Sequence, residues 1–109
     1  MGPQTVAGAA TRTVLVADET EFVRNRFSAA LSSAGHRVLL AGSRAELFTG
    51  IHRAQSEISL VVLDVRLSTA DAPSLIRQLH KLLPHKPPIV AFSGTVENTA
   101  SVQLPALPW

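Results

Sequence analysis

Ser59-Leu60-Val61-Val62-Leu63-Asp64 decides the fold: an aliphatic run without alternation that ends in a carboxylate. Such a run suits a strand covered on both faces, the environment of a parallel sheet rather than a half-solvated antiparallel one. Thr13-Val14-Leu15-Val16-Ala17 repeats the pattern and also stops at acids, Asp18 and Glu19. Ile89-Val90-Ala91-Phe92 is a third run and stops at Ser93-Gly94. His36 to Ala41, centred on Val38, Leu39 and Leu40, reads as another strand.

Between these runs the hydrophobic period lengthens to that of a helix. Val23, Phe27, Ala30, Leu31 and Ala34 recur at three- and four-residue spacing, and Gly35 then supplies a stop. Ser43-Arg44-Ala45-Glu46 has the form of a capping box, with Leu47, Phe48 and Ile51 as the stripe behind it. Asp71 is placed as an N-cap with Pro73 in the first turn; Leu75, Ile76, Leu79, Leu82 and Leu83 form the third stripe. Pro87-Pro88 separates that helix from the last strand. The order β-α-β-α-β-α-β predicts an α/β fold, a doubly wound parallel sheet with helices on both faces.

In open sheets of this kind ligands sit outside the carboxyl ends of the strands, at the point where the winding reverses. Three of the four expected strands deliver polar groups there: Asp18 and Glu19, Asp64, and Ser93. Converging carboxylates repel unless protonated or neutralised by a cation. Oxygen donors without His or Cys suit a hard ion such as Mg²⁺. A metal beside an exposed aspartate, with a hydroxyl one strand away, suits phosphoryl chemistry. Taken by spacing alone, the same acids read equally as loop starters and helix caps.

Composition narrows the field. The 109 residues suit one small domain, and 46% hydrophobic against 17% charged residues argues against disorder. There is no cysteine, which excludes disulfide scaffolds, thiolate metal sites and cysteine nucleophiles. The formal charge of +2 is spread thinly, without a basic cluster, so no nucleic-acid partner is expected. No apolar run approaches a membrane span, and Met1 to Arg12 lacks the apolar segment of a secretory signal. These features predict a cytoplasmic protein without membrane insertion. The four histidines, His36, His52, His80 and His85, fall outside the strand-end cluster. Arg24, Arg26 and Arg66 read as solvated surface, with Arg66 also placed to contact a phosphate bound near Asp64.

The stretches VLVADETEFVR, LVVLDVRL and IVAFSGT resemble, in order and spacing, the receiver domain of two-component response regulators. The resemblance implies a flavodoxin-like sheet with strand order 2-1-3-4-5. It implies that Asp64 is the phosphoacceptor and that Ser93 hydrogen-bonds the phosphoryl group and acts in the switch. Asp18, Glu19, Asp64 and the backbone carbonyl of Arg66 would be the ligands of Mg²⁺. The implied partner is a histidine kinase or phosphotransfer protein, and the implied output is protein contact. The chain would then be a phosphoacceptor signalling domain rather than a turnover enzyme. Two other classes stay open: a pseudo-receiver that binds protein without phosphorylation, and a small Mg²⁺-dependent phosphatase.

Glu19 stands where the family usually has a second aspartate, and Ser68 and Ala72 alter the loop that follows the acceptor. Both lysines, Lys81 and Lys86, precede Ser93, so the family's lysine after the fifth strand has no counterpart, and the chain has no tyrosine. The expected organisation is a flexible tail over residues 1–12, a receiver-like domain over 13–96 and an irregular Pro-rich tail over 97–109. About four βα units are expected, with the fifth strand and helix missing. That arrangement would leave the fourth strand at a sheet edge, where unpaired backbone favours a homodimer over the alternative, a tail folded back so that Leu104, Leu107 and Trp109 cover the gap.

Overall fold

The computed structural model describes residues 11–68 and 71–92. The expected terminal tails over 1–12 and 97–109 therefore lie outside the described residues, apart from Thr11 and Arg12. Ser93 lies outside them too. Four strands, β1 (Thr13–Ala17), β2 (Arg37–Ala41), β3 (Ile58–Asp64) and β4 (Ile89–Phe92), form one sheet in the order β2-β1-β3-β4. All three pairings are parallel. Helices α1 (Glu21–Ser33), α2 (Arg44–Ala54) and α3 (Ala72–Leu82) connect successive strands, and a 3-10 turn (Val65–Leu67) follows β3. The expected alternation and the doubly wound sheet are what the chain forms.

Strand pleating explains why the apolar runs do not alternate. Val14 and Val16 face one side with Val23, Leu60, Val62, Val90 and Phe92, and Phe27 and Leu31 of α1 close over them. Leu15 and Ala17 face the other side with Val61 and Leu63, against Leu47 and Ile51 of α2 and Leu75 and Leu79 of α3. Side chains on both faces of β1 and β3 are thus withdrawn from water, which only apolar residues tolerate without a partner. β2 lies at one side of the sheet and is buried only in part, so Leu40 stays exposed within it.

Local signals place the helix ends. α1 stops where Gly35 adopts φ +91°, a conformation that costs a glycine little. The Gly35 and His36 amides donate to the carbonyls of Ser32 and Leu31, which closes a Schellman motif. Ser43 caps α2 by accepting from the Glu46 amide at 3.1 Å. Glu46 reaches back one residue further than a capping box requires and accepts from the Gly42 amide at 2.6 Å. Asp71 caps α3, accepting from the amide and hydroxyl of Ser74 at 2.7 and 3.0 Å.

The chain leaves β1 toward β2 at one side of the sheet, then returns to β3 on the other flank of β1. The winding therefore reverses between the carboxyl ends of β1 and β3, where a cleft is expected. Ala17 is abreast of Leu63 in the ladder, so the next residues, Asp18 and Asp64, emerge side by side.

Candidate functional site

Asp18 and Asp64 are both withdrawn from solvent, the only acidic residues buried among the described residues. Their surroundings differ. Asp18 Oδ1 accepts the Thr20 amide at 2.7 Å, while Asp18 Oδ2 is buried without a hydrogen-bond partner. Burial pushes the Asp18 carboxyl above the ordinary aspartate range, and the charge of Asp64 adds to the rise. The Thr20 amide and the Arg66 guanidinium oppose it.

Asp64 meets a single residue with both oxygens. The 3-10 turn folds Arg66 back, so its amide donates to Asp64 Oδ1 at 2.9 Å. Arg66 Nε lies 3.1 Å from Oδ1 and 2.9 Å from Oδ2, and Nη2 lies 2.7 Å from Oδ2. Nη2 is also 3.7 Å from Asp18 Oδ1 and 3.4 Å from the Thr20 hydroxyl. Hydrogen bonding to Asp64 holds the guanidinium proton more tightly than usual, with Asp18 and Glu19 contributing. Glu19 itself is exposed at the rim. Arg66 thus spans the cleft as an internal counter-ion to two buried acids.

Of the residues singled out in the sequence, the fold brings Asp18, Asp64 and Arg66 together, with Glu19 facing the same charge from outside. No group of three His, Cys, Asp or Glu side chains is gathered closely enough to hold a metal among the described residues. The reading of Arg24 as solvated surface is corrected, while Arg66 is exposed as expected but is held on Asp64. Arg24 Nη1 donates to the Asp18 carbonyl at 2.8 Å and fastens the β1 exit to the first turn of α1. A Cβ at Gly42 would stand 2.8 Å from the same Nη1, so a side chain there would displace it. Thr20 was not singled out in the sequence. Its signal is a short polar residue two positions after a strand-end aspartate, the spacing of a side-chain-to-backbone turn. The histidines stay outside the cleft; His80 Nε2, for one, lies 3.1 Å from the Pro87 carbonyl.

Fold and cleft together define a doubly wound α/β domain with a carboxylate pair at the switch point of its parallel sheet. Residues 14–106 match the family model of the response regulator receiver domain. The chain belongs to that family. It is 36% identical over 87 residues to the DNA-binding transcriptional regulator NtrC of Bradyrhizobium sp. (strain RP501 Parasponia), covering 80% of this chain and 18% of that protein. It is 33% identical over 94 residues to the sensor kinase CckA of Brucella abortus (strain 2308), covering 86% and 10% respectively. The chain therefore spans less than a fifth of the length of these relatives.

Among solved structures, a receiver domain protein from Clostridium thermocellum superposes with a TM-score of 0.65 at 22% identity, covering 83% of this chain and 72% of that one. A response regulator from Burkholderia pseudomallei, with a phosphorylated aspartic acid, calcium ion and citrate, superposes at 0.59 and 21% identity, covering 82% and 52%. These likenesses establish the flavodoxin-like receiver fold. Among the described residues no helix is long and apolar enough to cross a membrane.

Proposed function

We propose that this receiver domain accepts a phosphoryl group on Asp64 from a histidine kinase or phosphotransfer protein, in a Mg²⁺-dependent reaction, and signals by protein contact. One observation carries the reading: Asp64 is buried at the carboxyl end of β3, next to the end of β1 where the buried Asp18 has an oxygen without a partner. A buried acceptor atom left unsatisfied is costly unless something completes it, and a hard cation would do so. The donor set fits Mg²⁺, which keeps several waters and binds through one or two carboxylates. Asp18 and Asp64 would hold it, with the Arg66 carbonyl as a further ligand and Glu19 at the rim. When bound, the ion would neutralise charge developing on the transferred phosphoryl group.

In the step itself an Asp64 carboxylate oxygen attacks phosphorus. The phosphorus–nitrogen bond to the donor imidazole breaks, and the electron pair returns to that nitrogen, which takes a proton. Burial of Asp64 excludes bulk water from the acyl phosphate formed. Thr20 positions Asp18 by donating its backbone N–H to Oδ1 at 2.7 Å. The role of Ser93 as hydrogen-bond donor to the phosphoryl group rests on the family pattern alone. That the domain works in the cytoplasm is part of the same reading. We also infer that β4 pairs with a second copy, because among the described residues its backbone is paired on one side only, with β3.

The test is intact mass after incubation with acetyl phosphate and Mg²⁺. The expected result is the gain of one phosphoryl group, prevented when EDTA is present from the start and absent from Asp64→Asn. An unmodified wild-type chain would favour the pseudo-receiver reading. Steady phosphate release from a phosphomonoester would favour a phosphatase.

A further inference from the structure

Asp64 has room for about four hydrogen bonds on its two carboxylate oxygens. Every contact those oxygens make is with residue 66: a bond from the backbone amide, the single Nε proton shared between the two oxygens, and an ion-pair contact with Nη2 at 2.7 Å. The same Nη2 lies 3.7 Å from Asp18 Oδ1 and so faces both acids that a divalent ion would have to reach. The guanidinium and the ion therefore compete for one set of lone pairs. They also compete electrostatically, because a resident positive charge repels an incoming one.

The arginine lies at the solvent boundary of the cleft. Its side chain is 37% exposed, while Asp18 and Asp64 are fully buried, so an outward rotation meets solvent rather than core. The backbone bond from residue 66 to Asp64 Oδ1 does not involve the side chain and survives that rotation. The turn that presents the Arg66 carbonyl can thus persist while the cation leaves. A second observation points to a ligand in the vacated space: Asp18 Oδ2, buried and unpartnered, which Arg66 does not satisfy even when it is in place.

We propose that Arg66 is a tethered cation that closes the acidic cleft and sets its affinity for divalent ions, the ion entering only as the guanidinium swings out. The inference rests on the reading above that the cleft takes such an ion. It adds that this chain binds it more weakly than the carboxylates alone would. A guanidinium suits the closed state better than an ammonium would, because its planar fork meets both carboxylate oxygens at once. Arg66 is here a specificity-determining residue: it changes which cation the acids hold.

Metal binding tests this directly, without phosphorylation. Mn²⁺ is titrated into the full-length chain, and free ion is read by electron paramagnetic resonance. Wild type is compared with Arg66→Ala, Arg66→Met and Arg66→Lys, each checked for a cooperative melt. The expected result is at least ten-fold tighter binding in both Ala and Met variants, with Lys between them and wild type. Methionine keeps a long stem without the charge. Tight binding by Ala but not by Met would mean the stem obstructs rather than the charge competes, and would overturn the proposal. Equal or weaker binding in the Ala variant would also overturn it while leaving the metal reading intact. Should no form bind Mn²⁺, the metal reading itself fails, and the proposal with it.

Discussion

Asp18→Asn should stabilise the metal-free domain. The wild-type carboxylate is fully buried, keeps one bond through Oδ1 at 2.7 Å to the Thr20 amide, and leaves Oδ2 without a partner. An unsatisfied buried acceptor costs about 1–3 kcal/mol, and more when charged. The neighbouring charges nearly cancel, because Asp64 and Arg66 form a close pair of opposite sign, and Asp18 feels both. Burial therefore decides the balance, in keeping with its being the first cause of the raised Asp18 carboxyl. Asparagine retains an oxygen for the Thr20 amide but accepts more weakly than a carboxylate, and its NH2 takes the unpartnered place of Oδ2, so what is recovered is the cost of burying the charge and not that of the unsatisfied position. A net stabilisation of about 1 kcal/mol remains. For a domain of this size that corresponds to a rise in Tm of roughly 4–8 °C.

The sign of the pH dependence follows. The folded-state Asp18 carboxyl lies above its unfolded value of 3.8, so the native state binds more protons between those two pKa values. Its contribution to stability therefore falls as pH rises through that window, and the full penalty applies above the folded pKa. Urea melts of wild type and Asp18→Asn in EDTA, at neutral pH and at steps down to the acid range, measure the difference. The variant should lead at neutral pH, and its lead should shrink on acidification. A variant less stable at neutral pH, or a lead that grows as pH falls, would refute the argument.

Two further outcomes follow from the fold. Ser43→Ala removes the side-chain acceptor of the Glu46 amide at the start of α2 and should cost about 1 kcal/mol in chemical melts; no change would mean that Glu46 and Gly42 fix that end alone. Sedimentation over a micromolar concentration series should show reversible self-association through β4, weakened by a lysine at Ala91, whose charge would blunt the strand edge; a monomer throughout would remove that reading.

The sheet was legible because its strands are buried on both faces, which leaves an unbroken aliphatic run in the sequence. Val14, Val16, Val62 and Val90 meet α1, while Leu15, Val61 and Leu63 meet α2 and α3, so every pleat demanded an apolar side chain. Helix ends were legible where one residue does the work locally, as at Gly35, Ser43 and Asp71. The acids were legible for a topological reason: parallel strands deliver their last residues to one side, so Asp18 and Asp64 had to converge.

What the sequence concealed is the charge that answers those acids. Arg66 follows Asp64 by two positions, and in a continuing strand that spacing would carry its side chain onward and away. Only because the chain enters a 3-10 turn at Val65 does the guanidinium come back over the carboxylate. Arg24 is hidden for a similar reason: six residues after Asp18, it reaches the Asp18 carbonyl only through the first turn of α1 and past a glycine at position 42. Both arginines owe their contacts to a local change of direction in the chain, a 3-10 turn for Arg66 and a helix turn for Arg24, which residue spacing alone does not announce. Yet their placement determines what the acidic pair can do. With Arg66 in place the cleft holds two anions and one cation, and its remaining need is a partner for a single oxygen, Asp18 Oδ2. With Arg66 turned outward it holds two unanswered carboxylates that demand a cation from solution. A cleft with the two states proposed above would respond to whichever cation it meets, and the balance would lie with Arg66.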